Sequence, residues 1–292
     1  MDYGRRVRVG DTDINVYSEG KGKLTVVFMA GSGVGCPVLE YKPLYRRMSD
    51  EYRIVVAEKA GYGLSGPAHS PRTVENLVSE VREALKAAGI MPPYVLAPHS
   101  YSGFEAIWWA CNYPEEVAAV LGIDMGLPNM MAAQAKEIPH DKKRKMVDSH
   151  RKLMQKLSKR GLLDKLLRNR TVNASGLLDS NELTDDEKLT YEEVYYRNIA
   201  SEAVFEESLL AEENAHKADR CGVLRCRSCM FISNMKSPVK ALSWQQAARD
   251  YGEKCGAELH FVNEGHMMYT RIPDEMASVF KAFLKNLTQS KG

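Results

Sequence analysis

The sequence predicts an α/β fold: a mostly parallel, doubly wound sheet with a helical segment inserted into it. Three observations carry this. Short apolar runs recur with little polar interruption, as in strands covered on both faces. Most are followed by a stretch with apolar residues three and four apart, the spacing of a helix with one buried face. The alternation stops at Pro128 and resumes only after residue 216. Residues 1–128 and 217–292 are therefore expected to form one core, and residues 129–216 a helical cap inserted into it. A chain of 292 residues with 44% hydrophobic content can bury such a core.

The elements follow in order. Residues 5–9 and 13–17 alternate around Gly10-Asp11, which predicts an antiparallel hairpin. Leu24-Thr25-Val26-Val27-Phe28-Met29 reads as a buried strand ending in the glycine-rich loop Ala30-Gly31-Ser32-Gly33-Val34-Gly35, with a helix expected over residues 39–48. The strand at 53–57 runs into Glu58-Lys59-Ala60-Gly61-Tyr62-Gly63-Leu64-Ser65. Residues 73–88 carry Val74, Leu77, Val81 and Leu85 at helical spacing and stop at Gly89. A strand at 94–97, a helix from Gly103 and a strand at 117–124 continue the rhythm. Within the insertion only long amphipathic helices are expected. Residues 136–170 are crowded with Lys and Arg and residues 179–213 are acidic, so the halves either pair or present solvated faces. A strand at 228–232, a helix over 241–251, a strand at 258–262 and a final helix over 274–287 complete the chain.

A net charge of +2 gives no reason to expect nucleic acid or a membrane surface as partner. The start, Met1-Asp2-Tyr3-Gly4-Arg5-Arg6, is polar with no apolar run behind it, so no secretory signal is expected. No stretch approaches the roughly 18 apolar residues of a membrane span. Six scattered cysteines fit reduced thiols, which makes a cytoplasmic location the expectation. Cys226-Arg-Ser-Cys229 lacks a partner pair or nearby histidines, so no metal and no cofactor is expected.

The chemistry is expected around Ser100. A strand that reverses sharply into a helix around a serine is a nucleophile elbow, usually Gly-x-Ser-x-Gly. Here the stretch reads Pro98-His99-Ser100-Tyr101-Ser102-Gly103, with Pro98 and Ser102 in the glycine places. Ser102 is the weaker nucleophile candidate, because bulky Phe104 would then crowd the turn. A serine nucleophile needs a base, an acid to hold the base, and donors for the oxyanion. His266 follows a strand and Gly265 and precedes the last helix, so it is the candidate base; His260 lies inside the strand and should face its packing. The loop after the strand at 228–232 holds no carboxylate, whereas the preceding strand ends in Asp124. Neighbouring parallel strands end on one edge, so Asp124 is the candidate acid, ahead of Glu264, which is too near His266 in sequence. The oxyanion donors are expected to be the backbone N–H groups of Tyr101 and Ser32, with Gly33 second. A phosphate cradle is the rival for that glycine loop, but it lacks the lysine and spacing of a P-loop.

With these residues the chain resembles the α/β-hydrolase superfamily with a helical cap, over nearly its whole length. Glu58-Lys59-Ala60-Gly61-Tyr62-Gly63-Leu64-Ser65 is similar to the family's Asp-x-x-Gly-x-Gly-x-Ser, with Glu for Asp. Ala30-Gly31 resembles its His-Gly loop, and Gly265-His266 its Gly-His ending. The elbow resembles that of bacterial members reading Pro-His-Ser-x-Ser-Gly. An acid on the earlier strand is similar to some lipases and haloalkane dehalogenases; the dehalogenases use an aspartate nucleophile, so Ser100 argues against their chemistry.

The expected activity is a serine hydrolase acting on a small ester or amide, with a small-molecule substrate as its partner and a homodimer left open. Cys36, His99 and Met125 are the candidate pocket residues. The alternatives are a binding or signalling protein on the same fold, motivated by Pro98 and Ala30, and a lyase or acyltransferase on the same scaffold.

Overall fold

A computed structural model describes residues 3–159, 162, 171–236, 240 and 242–289. Strands β1 (Arg5–Val9) and β2 (Thr12–Glu19) form the expected antiparallel hairpin. Then come β3 (Thr25–Met29), α1 (Pro37–Glu40), α2 (Lys42–Tyr45), β4 (Arg53–Ala57) and α3 (Val74–Ala87). β5 (Tyr94–Pro98), α4 (Ser102–Asn112) and β6 (Val117–Ile123) follow. The next helices are α5 (Pro128–Glu137), α6 (His140–Lys159), α7 (Asp185–Asn198) and α8 (Glu202–Arg220). β7 (Arg227–Ile232), α9 (Trp244–Cys255), β8 (Glu258–Phe261) and α10 (Pro273–Gln289) end the described chain.

The strands form an eight-stranded sheet in the order β1-β2-β4-β3-β5-β6-β7-β8. β2 runs antiparallel to β1 and β4, and all other pairings are parallel. Every residue of β3 and β5 is buried, because helices cover both faces. On one face Val27, Leu96 and Val120 pack with Leu77 of α3, Phe104 of α4 and Ala248 of α9. On the other, Val26, Val95 and Leu121 pack with Leu44 of α2 and Phe280 of α10. Alternate residues of one strand thus feed opposite cores, which is why these strands read as unbroken apolar runs.

One expected helix is corrected. Residues 39–48 do not form a single helix but the short α1 and α2, each with a proline in its first turn. Pro43 has no N–H to return to the carbonyl one turn back, so the first helix ends at Tyr41 and the second starts afresh. α3 is capped as its sequence predicts: the Thr73 side chain accepts from the Asn76 N–H, and Gly89 beyond the end has φ +69°.

Between α5 and α8 the described residues are helix and turn. The end of the basic half, residues 160–161 and 163–170, lies outside the described residues, as does residue 241 at the start of the expected helix over 241–251. The oppositely charged halves meet where Arg151 pairs with Glu202 at 3.2 Å, beside a contact between buried Met154 and Phe205. α8 continues past residue 216, and Ala211, Ala215 and Ala218 pack into the core that α3 and α4 share. No helix among the described residues is long and apolar enough to cross a membrane.

Candidate active site

The site forms where β5, β6 and β8 end on one edge of the sheet. Pro98 is the last residue of β5, paired with Met29, so proline stands in extended backbone at the end of the strand. Ser100 then takes φ +54°, a left-handed conformation rare outside glycine. It is held there by its neighbours: the Ser100 carbonyl accepts from Gly103 N–H at 3.0 Å and Gly126 N–H at 2.5 Å. Ser102 is fully buried, and its hydroxyl serves the backbone of the turn, donating toward the Met29 and His99 carbonyls at 2.8 and 2.9 Å. The crowded place is one residue further on: a Cβ on Gly103 would lie 2.3 Å from the Gly126 carbonyl oxygen.

His266 sits in the turn after β8, and its Nε2 lies 2.8 Å from Ser100 Oγ. Its Nδ1 lies 2.6 Å from Asp124 Oδ2 rather than facing Glu264. Asp124 directly follows β6, also in a left-handed conformation at φ +44°, and is buried. Its carboxylate further accepts from Ser233 N–H (2.8 Å), Ser233 Oγ (2.7 Å) and Trp244 Nε1 (2.6 Å). With Asp124 accepting at Nδ1, the imidazole carries its proton there and leaves Nε2 free to accept from the serine hydroxyl. The loop after β7, which offers no carboxylate, instead contributes Ser233 as a clamp on Asp124 from the neighbouring strand.

The glycine loop after β3 packs against this serine. A Cβ on Gly31 would lie 2.8 Å from Ser100 Cβ. The backbone N–H groups of Ser32 and Tyr101 have no protein acceptor among the described residues; that of Gly33 points to the Tyr62 hydroxyl at 3.4 Å. The Tyr62 hydroxyl donates to Glu207 Oε2 at 3.0 Å, while Lys59 Nζ bonds Glu207 at 2.9 Å and Glu105 at 3.0 Å. Burial works against charge on Lys59, but Glu105 and Glu207 outweigh it and raise its pKa. Burial pushes Glu105 up to about 7 against the pull of Lys59. This closed cluster ties the loop, the elbow helix α4 and helix α8 together. Glu58, at the head of the Glu-x-x-Gly-x-Gly-x-Ser stretch, is likewise structural: it accepts from Leu64 N–H, Val38 N–H and Asn15 Nδ2. Burial pushes it up to about 7.

A cavity of about 190 Å³ opens on Ser100 and His266, lined also by Ser32, Glu40, His99 and Tyr195. It shares Ser32 and Tyr195 with a second cavity of about 580 Å³ walled by side chains of α6 and α8, among them Met154 and Phe205. Of the expected pocket residues, His99 lines the first cavity. Cys36 is instead buried in a cluster with Leu39 and Val172, and Met125 packs in the core against Gly122. These two are corrections: both side chains are taken up in apolar packing and neither lines the cavity. His260 stacks on Phe231 with rings 5.1 Å apart and bonds Glu258 at 2.7 Å. Cys229 lies by that pair, the ligand atoms of Cys229, Glu258 and His260 being within 4.8 Å of one another, whereas Cys226 is packed, with Cys111 and Cys255, against the core that α3 and α4 share. All six cysteines are free.

Sheet order, elbow and strand-end histidine together make this an α/β-hydrolase fold. Over 96% of the chain it superposes on 94% of Cfl2 from Burkholderia cenocepacia, with a TM-score of 0.71 and 19% identity. It matches a thermophilic esterase from Thermogutta terrifontis with a TM-score of 0.65 and 14% identity, covering 97% of this chain and 99% of that one. In sequence it is 46% identical over 125 residues to the uncharacterized Bacillus subtilis protein YbdG, covering 43% of this chain and 38% of that protein. It is 25% identical over 120 residues to the 2-(acetamidomethylene)succinate hydrolase of Mesorhizobium japonicum, covering 41% of this chain and 42% of that one. The matched stretches span only about two fifths of these relatives. No protein-family model matches the chain.

Proposed function

We propose that this chain is a serine hydrolase cleaving a small ester or amide through an acyl-enzyme, with Ser100 as nucleophile, His266 as base and Asp124 as orienting acid. The observation that carries this reading is the unbroken hydrogen-bond chain from Ser100 Oγ through His266 to Asp124, at 2.8 and 2.6 Å. It starts at a left-handed serine on the head of a helix, beside two unengaged backbone N–H groups. On this reading His266 Nε2 takes the serine proton as Oγ attacks the carbonyl carbon. The C=O electron pair moves onto oxygen, where the Ser32 and Tyr101 N–H groups hold it. Collapse breaks the bond to the leaving group, which takes the proton from His266. Water then attacks the acyl-enzyme by the same route, releasing the acid and restoring Ser100. Residues 129–216 act as a cap that shields the site and selects a small molecule, and the free thiols suit a cytoplasmic location. The hydrolase and esterase named among the relatives and neighbours favour the same class.

A fluorophosphonate probe tests it. The wild-type chain should label at Ser100, and Ser100→Ala should remove both label and turnover of short acyl esters. Asp124→Asn should lower kcat by about 10⁴ by favouring the wrong imidazole tautomer. An unlabelled serine, with ester turnover unchanged in Ser100→Ala, would overturn the reading. Release of free acid in the presence of added alcohols or amines separates hydrolysis from acyl transfer.

A further inference from the structure

We infer that the far wall of the Ser100 cavity is a recognition site for an ammonium group on the substrate, with Glu40 and Ser175 as its receivers. Glu40 belongs to α1, is only 3% exposed and lines the same cavity as Ser100 and His266. No Lys or Arg is among the described residues that line this cavity, and no cation pairs with Glu40 among the described residues. Its protein partners are instead two phenols: Tyr269 donates to Oε1 at 2.8 Å, and Tyr191 donates to Oε2. Two donors leave acceptor sites open on a carboxylate, which has about four. Ser175 stands beside it, also 3% exposed and also lining the cavity; its hydroxyl faces Glu40 closely enough to favour the ionised carboxylate, yet has no partner at hydrogen-bond distance.

Burial holds the Glu40 carboxyl above its ordinary range, and the hydroxyls of Tyr191, Tyr269 and Ser175 offset only part of that rise. In its ionised form a buried carboxyl that no protein cation neutralises is costly, so it is completed either by a proton or by a bound cation that draws out the carboxylate. An orphaned buried hydroxyl in the same wall asks for a partner too. A group with several N–H donors and a positive charge meets both needs, and a primary ammonium is the smallest that does. A cavity of about 190 Å³ is small beside the roughly 300–1,000 Å³ of pockets for drug-sized ligands. The ammonium would thus be carried on a short chain, a few bonds from the carbonyl that Ser100 attacks. Placing that group on a substrate rests on the serine hydrolase reading; the presence of an ammonium site in the cavity does not.

The test needs no turnover. In the Ser100→Ala protein, β-alaninamide and butyramide are titrated by ligand-observed NMR; the two differ only by ammonium against methyl. β-Alaninamide should bind at least about tenfold more tightly, as a charge-assisted bond to a buried carboxylate gives. Adding Glu40→Gln should reduce the preference below about threefold, and Ser175→Ala should narrow it in part. Butyramide binding equally well, no measurable binding of either, or a preference that survives Glu40→Gln would overturn the inference. If Glu40→Gln fails to fold, the pair of ligands and Ser175→Ala decide it alone. A failed fluorophosphonate reaction would sink the hydrolase reading and leave this titration standing.

Discussion

His99 lines the cavity beside Ser100, yet its hydrogen bonds hold it out of proton chemistry. Gly31 N–H donates to the Tyr41 hydroxyl at 3.2 Å, and that hydroxyl faces His99 Nδ1 at 3.2 Å. With its own proton the Tyr41 hydroxyl donates to Nδ1, so His99 carries its hydrogen on Nε2, directed at the His266 carbonyl at 3.3 Å. The ring therefore braces the glycine loop after β3 on one side and the backbone of His266 on the other. Burial, and then the neighbouring His266, hold its pKa well below the ordinary value. The folded form thus resists a proton that the unfolded chain accepts near pH 6.5, so His99 contributes stability above that pH and loses it as pH falls, at about 1.4 kcal/mol per unit. Glu58 and Glu105, both raised by burial, act with the opposite sign in the same window, so the overall curve does not isolate the effect. The difference does: the stability advantage of wild type over His99→Asn should shrink by about 1 kcal/mol between pH 6.5 and 5.5, measured by urea unfolding. A constant difference would mean that His99 takes up its proton in the fold as readily as in the unfolded chain. Ser100, Asp124 and His266 were legible in the sequence because each follows a recognisable strand. Ser233 and Trp244 were not, since they reach Asp124 only through the β6–β7 register that sets Ile123 opposite Phe231. Glu40 was hidden too, a single carboxylate in a short helix whose neighbours Val38 and Leu39 are core.

At the scale of elements, legibility followed burial. β3 and β5 showed because both of their faces are covered, whereas the pair α1 and α2 did not, since a run of apolar residues says nothing of a missing N–H at Pro43. The Lys59 cluster was equally invisible, because Lys59, Glu105 and Glu207 come from three elements far apart in sequence. Their side chains are at most 1% exposed, so the cluster depends on its completeness. Replacing Lys59 with methionine removes the ammonium that both carboxyls bond and leaves them only the more distant Arg72, which is already paired with Glu80. Removing one partner from a buried ionic group costs about 3–5 kcal/mol. Lys59→Met should therefore lower the urea midpoint sharply, and adding Glu105→Gln and Glu207→Gln should recover most of the loss. A single variant as stable as wild type would show the cluster to be indifferent to its charge.

For the whole molecule, the question is whether the helices over the site behave as a separate unit. α8 argues that its C-terminal half does not. Asn214 accepts from Val74 N–H at 2.8 Å and donates to the Arg72 carbonyl at 2.9 Å and the Tyr101 hydroxyl at 2.6 Å, while Glu207 belongs to the Lys59 cluster. These groups are buried, so α8 cannot leave the core without stranding them. α6 is held differently: Met154 is its only buried residue among those described, and its ion pair with α8, Arg151 to Glu202, is solvated at 35% and 66% exposure. An exposed pair contributes about 0–1 kcal/mol, and one buried methionine side chain about 1.5–3 kcal/mol. Global stability of a domain is typically about 5–15 kcal/mol, so α6 should open long before the core does. Hydrogen exchange followed by mass spectrometry should find peptides from residues 205–220 protected as strongly as those of β5 and β6. Peptides from residues 140–158 should exchange at least about 10³-fold faster, the ratio that corresponds to a gap of some 4 kcal/mol. Equal protection of the two would mean that α6 is locked to the core, and substrate would then have to enter without it moving.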